Sequence, residues 1–172
     1  MKKSDVKNQA IFMCGISGSG KTNFAHKLEK NGYLRLSTDA LIWEKAGDKL
    51  ISLSPDEQKA LFTECREIVK DKFIKLLSSD KKVVVDATHC KRSVRDEIRK
   101  ICDGLKVRPI FVYCYADKEE LWNRLSKRKG TGPDDLIVTR EELENYWLGF
   151  EHPQEDEKDF IFLNDSPEFL NK

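Results

Sequence analysis

The sequence of 172 residues lacks the features that identify several classes of protein. It has no CxxC pair and no cysteine–histidine spacing typical of zinc sites, so its five cysteines predict reduced thiols in a cytoplasmic protein. It has no secretory hydrophobic segment and no apolar run long enough to cross a bilayer, so we expect no membrane partner. An excess of one charge is also missing. The 31 basic residues nearly balance 30 acidic ones, which neither favours nor excludes a nucleic-acid partner.

The most informative feature that is present is a glycine-rich run. It reads Gly15-Ile16-Ser17-Gly18-Ser19-Gly20-Lys21-Thr22 and matches the pattern G-x-x-x-x-G-K-[ST] at every fixed position. An apolar segment, residues 10–14, precedes the run, and a helical pattern, residues 21–31, follows it. Backbone N–H groups at the start of such a helix bind anions, and glycines let a phosphate approach closely. The run therefore predicts a nucleotide site (a P-loop) rather than a flexible turn.

Individual residues of the run have predicted roles toward ATP and Mg²⁺. The Lys21 ammonium is expected to reach the β- and γ-phosphates, and the Thr22 hydroxyl to ligate the metal. The other predicted nucleotide ligands are small or polar residues of the run: Gly15, Ser17, Gly18, Ser19 and Gly20. The Asn-Lys-x-Asp run typical of GTPases is absent from the sequence, so a GTPase is not predicted.

Apolar strands alternate with helical patterns along the chain. Five strands are predicted, at residues 10–14, 33–36, 83–85, 107–116 and 159–163. Helices are predicted at residues 21–31, 54–77 and 91–103 and onward from residues 117 and 139, whereas residues 37–53 are expected to be irregular. The alternation predicts one α/β domain over residues 1–172, with a five-stranded parallel sheet covered by helices on both faces.

A candidate general base, Asp39, follows the second predicted strand. Ligands of open α/β sheets bind outside the carboxyl ends of the strands, where a carboxylate could accept the proton of an acceptor hydroxyl. The sequence Ser37-Thr38-Asp39 is also what a helix cap looks like, so capping by any of these three residues is the alternative.

A second carboxylate, Asp86, ends the third predicted strand after three valines. It could hold Mg²⁺ through water, as a Walker-B aspartate does, or bind the acceptor. An ordinary turn residue is the alternative. The residue types do not decide between the two functional roles.

A basic stretch, residues 124–129, precedes a glycine-containing segment, residues 130–133. Arg124 and Arg128 are four residues apart and would share one helix face. Glycines after them would allow hinge motion, so a mobile lid of about residues 124–138 could bring a guanidinium to the transferring phosphoryl group. The alternative is a solvated helix end that complements its own dipole.

A further set of basic residues follows Asp86-Ala87-Thr88: Lys91, Arg92, Arg95 and Arg99. These side chains could contact a phosphate of the acceptor. They could equally form the solvated face of a helix.

These stretches together resemble the P-loop kinases related to polynucleotide 5′-kinase, a group that includes predicted AAA-type ATP-binding kinases. The likeness rests on residues 15–22, 37–39, 86–88 and 124–128, and on the acidic run 150–157 before the last predicted strand. The resemblance implies the P-loop NTPase kinase fold with a helical lid. It makes Asp39 the general base, Lys21 and Arg128 the phosphate-stabilising cations and Thr22 a metal ligand, and it places Arg124 beside the nucleotide.

Two departures from that family pattern lie on the acceptor side. Ile42 stands where the polynucleotide kinases have an arginine for the acceptor strand, and His89 stands where an asparagine is usual. The first hypothesis for the acceptor is a DNA or RNA 5′-hydroxyl, held by Asp86, Thr88, Arg92 and Arg95. The alternative is a small hydroxylated molecule such as a nucleoside, sugar or antibiotic, which the missing arginine favours. A third hypothesis is a nucleotide-dependent regulatory protein with no acceptor.

Overall fold

The computed structural model describes residues 9–163, and within that range the chain forms five strands and six α-helices. The strands are β1 (Gln9–Cys14), β2 (Leu34–Ser37), β3 (Val83–Asp86), β4 (Arg108–Cys114) and β5 (Phe160–Leu163). The helices are α1 (Lys21–Lys30), α2 (Thr38–Ala46), α3 (Pro55–Ser78), α4 (Arg92–Gly104), α5 (Lys118–Leu125) and α6 (Arg140–Gly149). The described residues also include two 3₁₀ segments, Gly47–Ser52 and Pro133–Asp135.

The five strands form one parallel sheet in the order β2-β3-β1-β4-β5. The chain builds one side of the sheet through β2 and β3 and then crosses to the other side at β4, so β1 lies at the point where the direction of strand order changes. Ligands of such sheets bind at this switch point, outside the carboxyl ends of the strands. The prediction of a five-stranded parallel sheet is confirmed.

Helices cover both faces of the sheet because neighbouring residues of a strand point to opposite sides. On one face Ile11 and Met13 pack with Ala25 of α1. On the other face Phe12 packs with Phe73 of α3, and their ring centroids are 5.6 Å apart. A strand covered on both faces has no polar side, which is why the three valines of β3 are all at most 2% exposed.

Helix α2 was not predicted, and the expectation of an irregular chain is wrong for residues 38–46. The helix is only nine residues long, and its buried residues are Thr38 and Ile42, one helical turn apart. Two buried positions are too few for an apolar period to stand out in the sequence. Packing against α3 and the segment Pro133–Asp135 holds α2 in place.

The predicted helix starts at residues 54 and 139 are confirmed, and both are complete capping boxes. The Ser54 hydroxyl accepts from the Glu57 N–H at 3.3 Å while the Glu57 carboxylate accepts from the Ser54 N–H at 2.8 Å. Thr139 and Glu142 make the same exchange at the start of α6. Within residues 9–163, no helix combines the length and the apolar character needed to span a membrane.

Candidate active site

The glycine-rich run forms a tight loop between β1 and α1. Gly15, Gly18 and Gly20 have φ angles of +141°, +86° and +100°, which side-chain-bearing residues rarely adopt. A Cβ on Gly15 would lie 2.3 Å from the Cys114 carbonyl oxygen, so the loop could not pack against the end of β4 with any other residue there. A Cβ on Gly20 would meet nothing within 4 Å, so the backbone there borders open space.

The start of α1 differs from the starts of the other helices. Its N-cap is Gly20, no side chain caps it, and its first turn contains no acidic residue. Hydroxyl or carboxylate oxygens accept from the first turns of α2, α3, α5 and α6, and Glu151 accepts from the Arg92 N–H of α4 at 2.8 Å. Among the six helices of the described chain, α1 alone offers its N-terminal N–H groups and dipole to an anion.

Lys21 crosses the loop with its side chain almost fully enclosed. The residue is 8% exposed, and its Nζ donates to the Ile16 carbonyl oxygen at 2.9 Å. Burial lowers the pKa of Lys21, and the carboxylates of Asp86 and Asp39 oppose that shift. The ammonium therefore lies within the electrostatic reach of both the loop and the acidic end of β2 and β3.

The Ser19 side chain is enclosed within the loop. The Ser19 N–H donates to the Ile16 carbonyl oxygen at 3.1 Å, and the residue is only 2% exposed. Its hydroxyl has no hydrogen-bond partner in the described part of the chain, and Ser19 lines a small internal cavity with Tyr113 and Trp147. The Ser19 side chain thus packs inside the loop, and the predicted contact of Ser19 with the nucleotide stays a prediction.

The register of β2 and β3 brings the two predicted carboxylates to one edge. Ser37 pairs with Asp86, so the first turn of α2 begins beside the end of β3. The Ser37 hydroxyl accepts from the Ala40 N–H at 3.1 Å, so Ser37 is the helix cap. Asp39, one residue into the helix, is left without a capping role.

The Asp39 residue is exposed to solvent, but protein atoms and charges of both signs surround its carboxylate. Desolvation by surrounding atoms raises the pKa of Asp39, although the residue still reaches solvent. The carboxylates of Asp86 and Asp134 raise the pKa further, while Lys21 and Arg128 lower it. A carboxylate whose pKa moves toward neutrality is a better proton acceptor at its operating pH.

Asp86 has an arginine partner that the sequence did not indicate. Arg35 of β2 donates to Asp86 Oδ2 from Nε at 3.0 Å and from Nη2 at 2.7 Å, and the Asp86 side chain is 3% exposed. Burying a carboxylate without such a partner is costly. The available signal was an arginine between two leucines of a short strand, where charged residues are unusual.

The oxygens near the loop fit a magnesium ion that arrives with phosphate. Mg²⁺ takes oxygen ligands, keeps several waters and needs only one or two carboxylates. The Thr22 hydroxyl at the start of α1 and the Asp86 carboxylate supply such a set. No cluster of three or more metal-ligating His, Cys, Asp or Glu side chains occurs in residues 9–163.

Both lid arginines contact the P-loop, but not from one helix face. Helix α5 ends at Leu125, and Arg128 lies beyond it, so the prediction that the two arginines share one helix face is wrong. Arg124 Nη1 donates to the Gly18 carbonyl oxygen at 3.1 Å. Arg128 Nη1 lies 3.4 Å from the Ser17 hydroxyl and donates to the Leu136 carbonyl oxygen at 3.1 Å.

Arg95 does not face an acceptor. Its side chain is 0% exposed, and it makes two hydrogen bonds to the Glu157 carboxylate, at 2.9 and 2.8 Å. Its remaining donor reaches the carbonyl oxygens of His89 and Glu151. The prediction that Arg95 contacts the acceptor is corrected, because the guanidinium is fully enclosed and is bound to a buried carboxylate.

Arg92 and Arg99 are paired in the same way. Arg92 makes a bidentate pair with Asp156, at 2.9 and 2.6 Å, and Arg99 binds both Glu157 and Asp159. The carboxylates of residues 151–159 therefore neutralise the basic stretch of α4. Arg92 is exposed and bound to one of them, and its role at the acceptor stays a prediction.

Thr88 and His89 support the loop from the side of β3. The Thr88 carbonyl oxygen accepts from the Gly15 N–H at 3.1 Å, while the residue itself is exposed. The His89 ring bonds to the Met13 carbonyl oxygen, and burial lowers the pKa of His89 to about 4, so its ring is neutral. His89 is a core residue beneath the loop.

Comparison with known proteins agrees with this geometry. A family model described as an AAA domain matches residues 11–153. No curated protein matches the sequence.

Solved structures show the same fold at low identity. A gluconokinase from Sinorhizobium meliloti 1021 is 24% identical with a TM-score of 0.63, covering 92% of this chain and 84% of its own. A chain of the Pnkp1/Rnl/Hen1 RNA repair complex is 23% identical with a TM-score of 0.66, covering 86% of this chain and 45% of its own. Kti12 of Chaetomium thermophilum, in complex with ADP-AlF3, is 16% identical with a TM-score of 0.67, covering 93% and 92%. Since the family model spans most of the sequence, the chain belongs to the AAA domain family and has the fold of the P-loop kinases.

Proposed function

We propose that the protein transfers the γ-phosphate of ATP to a hydroxyl group of a small molecule. The observation that carries the proposal is a contrast at the site. Asp39 is free of a capping role beside Lys21, whereas the arginines predicted to hold a charged strand are bound to carboxylates.

The donor side is built to hold phosphate. The free N-terminus of α1 would bind the phosphate oxygens, and Lys21 and Arg128 would neutralise the charge that spreads over the γ-phosphoryl group in the transition state. Thr22 and Asp86 would hold Mg²⁺, which supplies further charge neutralisation when bound. Arg124, on the outer rim of the loop at Gly18, would lie beside the nucleotide.

Asp39 would act on the acceptor. As the acceptor oxygen attacks phosphorus and the bond to the ADP oxygen breaks, the Asp39 carboxylate takes the hydroxyl proton. The raised pKa of Asp39 supports this role, because a more basic carboxylate accepts the proton more readily.

The acceptor side favours a small molecule over a nucleic-acid strand. A 5′ end carries a phosphate one nucleotide from the reacting hydroxyl, and binding it calls for a free cation. Ile42, at the position of the family's acceptor arginine, is 3% exposed and apolar. Arg92, Arg95 and Arg99 are held by the run 151–159. The name of one similar structure, a gluconokinase, is in line with a small acceptor.

The test is transfer of label from γ-labelled ATP with Mg²⁺ to a panel of sugars, polyols and nucleosides, with a 5′-hydroxyl oligonucleotide in parallel. We expect label on a small acceptor, and Asp39→Asn should lower kcat by roughly 10²–10⁴-fold while the affinity for ATP is retained. Ser37→Ala is the matched control, because it removes the cap of the same helix and keeps the carboxylate.

Two outcomes would replace the proposal. Efficient labelling of the oligonucleotide alone would establish a polynucleotide kinase. Binding of ATP without transfer to any hydroxyl, unchanged by Asp39→Asn, would indicate a nucleotide-dependent regulatory protein.

A further inference from the structure

The segment that carries Arg128 is attached to the domain at a second point, away from the P-loop. We propose that Asp134 and Arg35 are positioning residues, which anchor the lid loop (residues 126–138) so that Arg128 is held at the P-loop for phosphoryl transfer. This inference rests on the proposed function for its catalytic meaning, but the anchor itself is a property of the chain.

The lid loop is closed by its own hydrogen bonds. Asp135 Oδ2 accepts from the Lys129 N–H at 3.1 Å, from the Thr131 N–H at 3.2 Å and from the Thr131 hydroxyl at 3.1 Å. The Gly130 N–H donates to the Asp135 carbonyl oxygen, and the Asp135 N–H donates back to the Gly132 carbonyl oxygen, both at 3.1 Å. The glycines expected to act as a hinge therefore sit inside a bonded turn, and the loop can move as one body.

Asp134 connects this body to two elements of the domain. Its Oδ1 accepts from Arg35 Nη2 of β2 at 2.8 Å, and its Oδ2 bonds to His26 Nε2 of α1 at 3.0 Å. The segment Pro133–Asp135 also packs against α2, which carries Asp39. The part of the lid loop around Asp134 thus lies against α1, β2 and α2.

The anchor differs from a surface ion pair because the Arg35 side chain is largely enclosed. This side chain is 10% exposed and is shared between Asp134 and the nearly buried Asp86. An enclosed guanidinium that loses one of two carboxylates loses a charge-assisted bond with little water to replace it. Ion pairs between two exposed side chains, in contrast, contribute little to stability.

Arg128 lies at the inner end of the same body. Its Nη1 donates to the Leu136 carbonyl oxygen, two residues from Asp134, and lies beside Ser17 of the P-loop. The position of its guanidinium therefore depends on where the lid loop rests. Asp134 and Arg35 would act through Arg128 and need not contact the nucleotide.

Limited trypsin digestion tests the anchor without any acceptor, because the lid loop carries three cleavage sites at Lys127, Arg128 and Lys129. Asp134→Asn should raise the rate of cleavage at these sites roughly tenfold, the effect of losing about 1.4 kcal/mol of closure. Asp134→Glu should recover part of the protection. The matched control is Glu97→Gln, which removes the Lys70–Glu97 pair between α3 and α4 and should leave cleavage in the lid loop unchanged.

Hydrolysis of ATP to ADP with Mg²⁺ tests the positioning role in the same variants. We expect Asp134→Asn to lower kcat roughly tenfold and to leave KM for ATP within about twofold, because the phosphate site on α1 is intact. Equal cleavage rates in wild type and Asp134→Asn would overturn the anchor, as would faster cleavage spread over the whole chain. A raised KM with an unchanged kcat would overturn the positioning role. Failure of the proposed function would look different: no acceptor would be labelled, with lid cleavage still dependent on Asp134.

Discussion

The arginines of the lid and the arginines of α4 have similar spacing along the chain, but Arg128 differs from the others in its partners. Arg124 of the lid donates to the Glu120 carboxylate at 2.8 Å, as the arginines of α4 donate to carboxylates. In the lid, Arg128 donates to the Leu136 carbonyl oxygen and lies beside the Ser17 hydroxyl, both neutral groups. In α4, Arg92 and Arg95 donate to the carboxylates of Asp156 and Glu157.

The difference teaches that the partner, and not the spacing, decides what an arginine does. A guanidinium held by neutral oxygens keeps its positive charge available to a phosphate. A guanidinium held by a carboxylate has its charge neutralised and serves to tie two segments together. In α4 those carboxylates come from residues about 60 positions further along the chain.

The largest expected effect is at Arg128. Arg128→Ala should lower kcat of phosphoryl transfer by roughly 10³-fold, because the charge that meets the transferring group is lost, with little change in the free energy of unfolding. Arg128→Lys should restore only part of the rate, since an ammonium lacks the planar fork. The label-transfer assay and urea unfolding measure the two quantities, and Lys127→Ala is the neighbouring control. A wild-type rate in Arg128→Ala would show that Arg128 does not act on the transferring group, and that its role does not differ from that of the α4 arginines.

Arg95 should show the opposite pattern. Arg95→Met should lower the free energy of unfolding by about 3–5 kcal/mol, because Glu157 would stay buried with fewer partners. Adding Glu157→Gln to that variant should recover part of the loss. Urea unfolding at neutral pH measures both. If Arg95→Met had normal stability and a raised KM for the acceptor, Arg95 would have to bind the acceptor.

Acid should weaken the α4 network at Glu157. Burial would raise the pKa of Glu157, but hydrogen bonds from Arg95 and Arg99 outweigh burial and hold the pKa at about 2. The ionised carboxylate therefore stabilises the folded state above its ordinary pKa of 4.5, and this contribution is lost as pH falls toward 2. The shift in the pKa of Glu157 from 4.5 to about 2 corresponds to about 3 kcal/mol in the free energy of unfolding.

Glu157→Gln checks this pH dependence. The variant should be less stable at neutral pH and should lose less stability than wild type between about pH 5 and pH 2. Urea unfolding followed across that range measures the difference. Parallel curves for the two proteins would show that Glu157 does not carry the acid sensitivity.

The smallest effect is expected at Arg92. Its pair with Asp156 is exposed, so Arg92→Ala should leave the free energy of unfolding almost unchanged, and the difference should shrink further in high salt. Phosphoryl transfer to a small acceptor should be unchanged. A selective loss of oligonucleotide labelling in this variant would place Arg92 at the acceptor. The arginines of α4 would then share a role in substrate binding with those of the lid.

The sequence by itself determined the parts of this protein that depend on near neighbours. The P-loop, the alternation of buried strands and helices, and the capping boxes at Ser54 and Thr139 are all set by residues within a few positions of one another. Such features need a particular backbone conformation or a particular period, and both are visible in the order of residue types.

Only the tertiary structure decided which charged side chains meet. The pairing of Arg95 with Glu157, of Arg35 with Asp86 and Asp134, and the inward turn of Ser19 all join segments that are distant or differently oriented in the chain. Helix α2 belongs here too, since packing against α3 rather than an apolar period holds it. A basic residue looks the same in the sequence whether it will meet a phosphate or a carboxylate, because the partner is chosen when the sheet brings their strands and loops together.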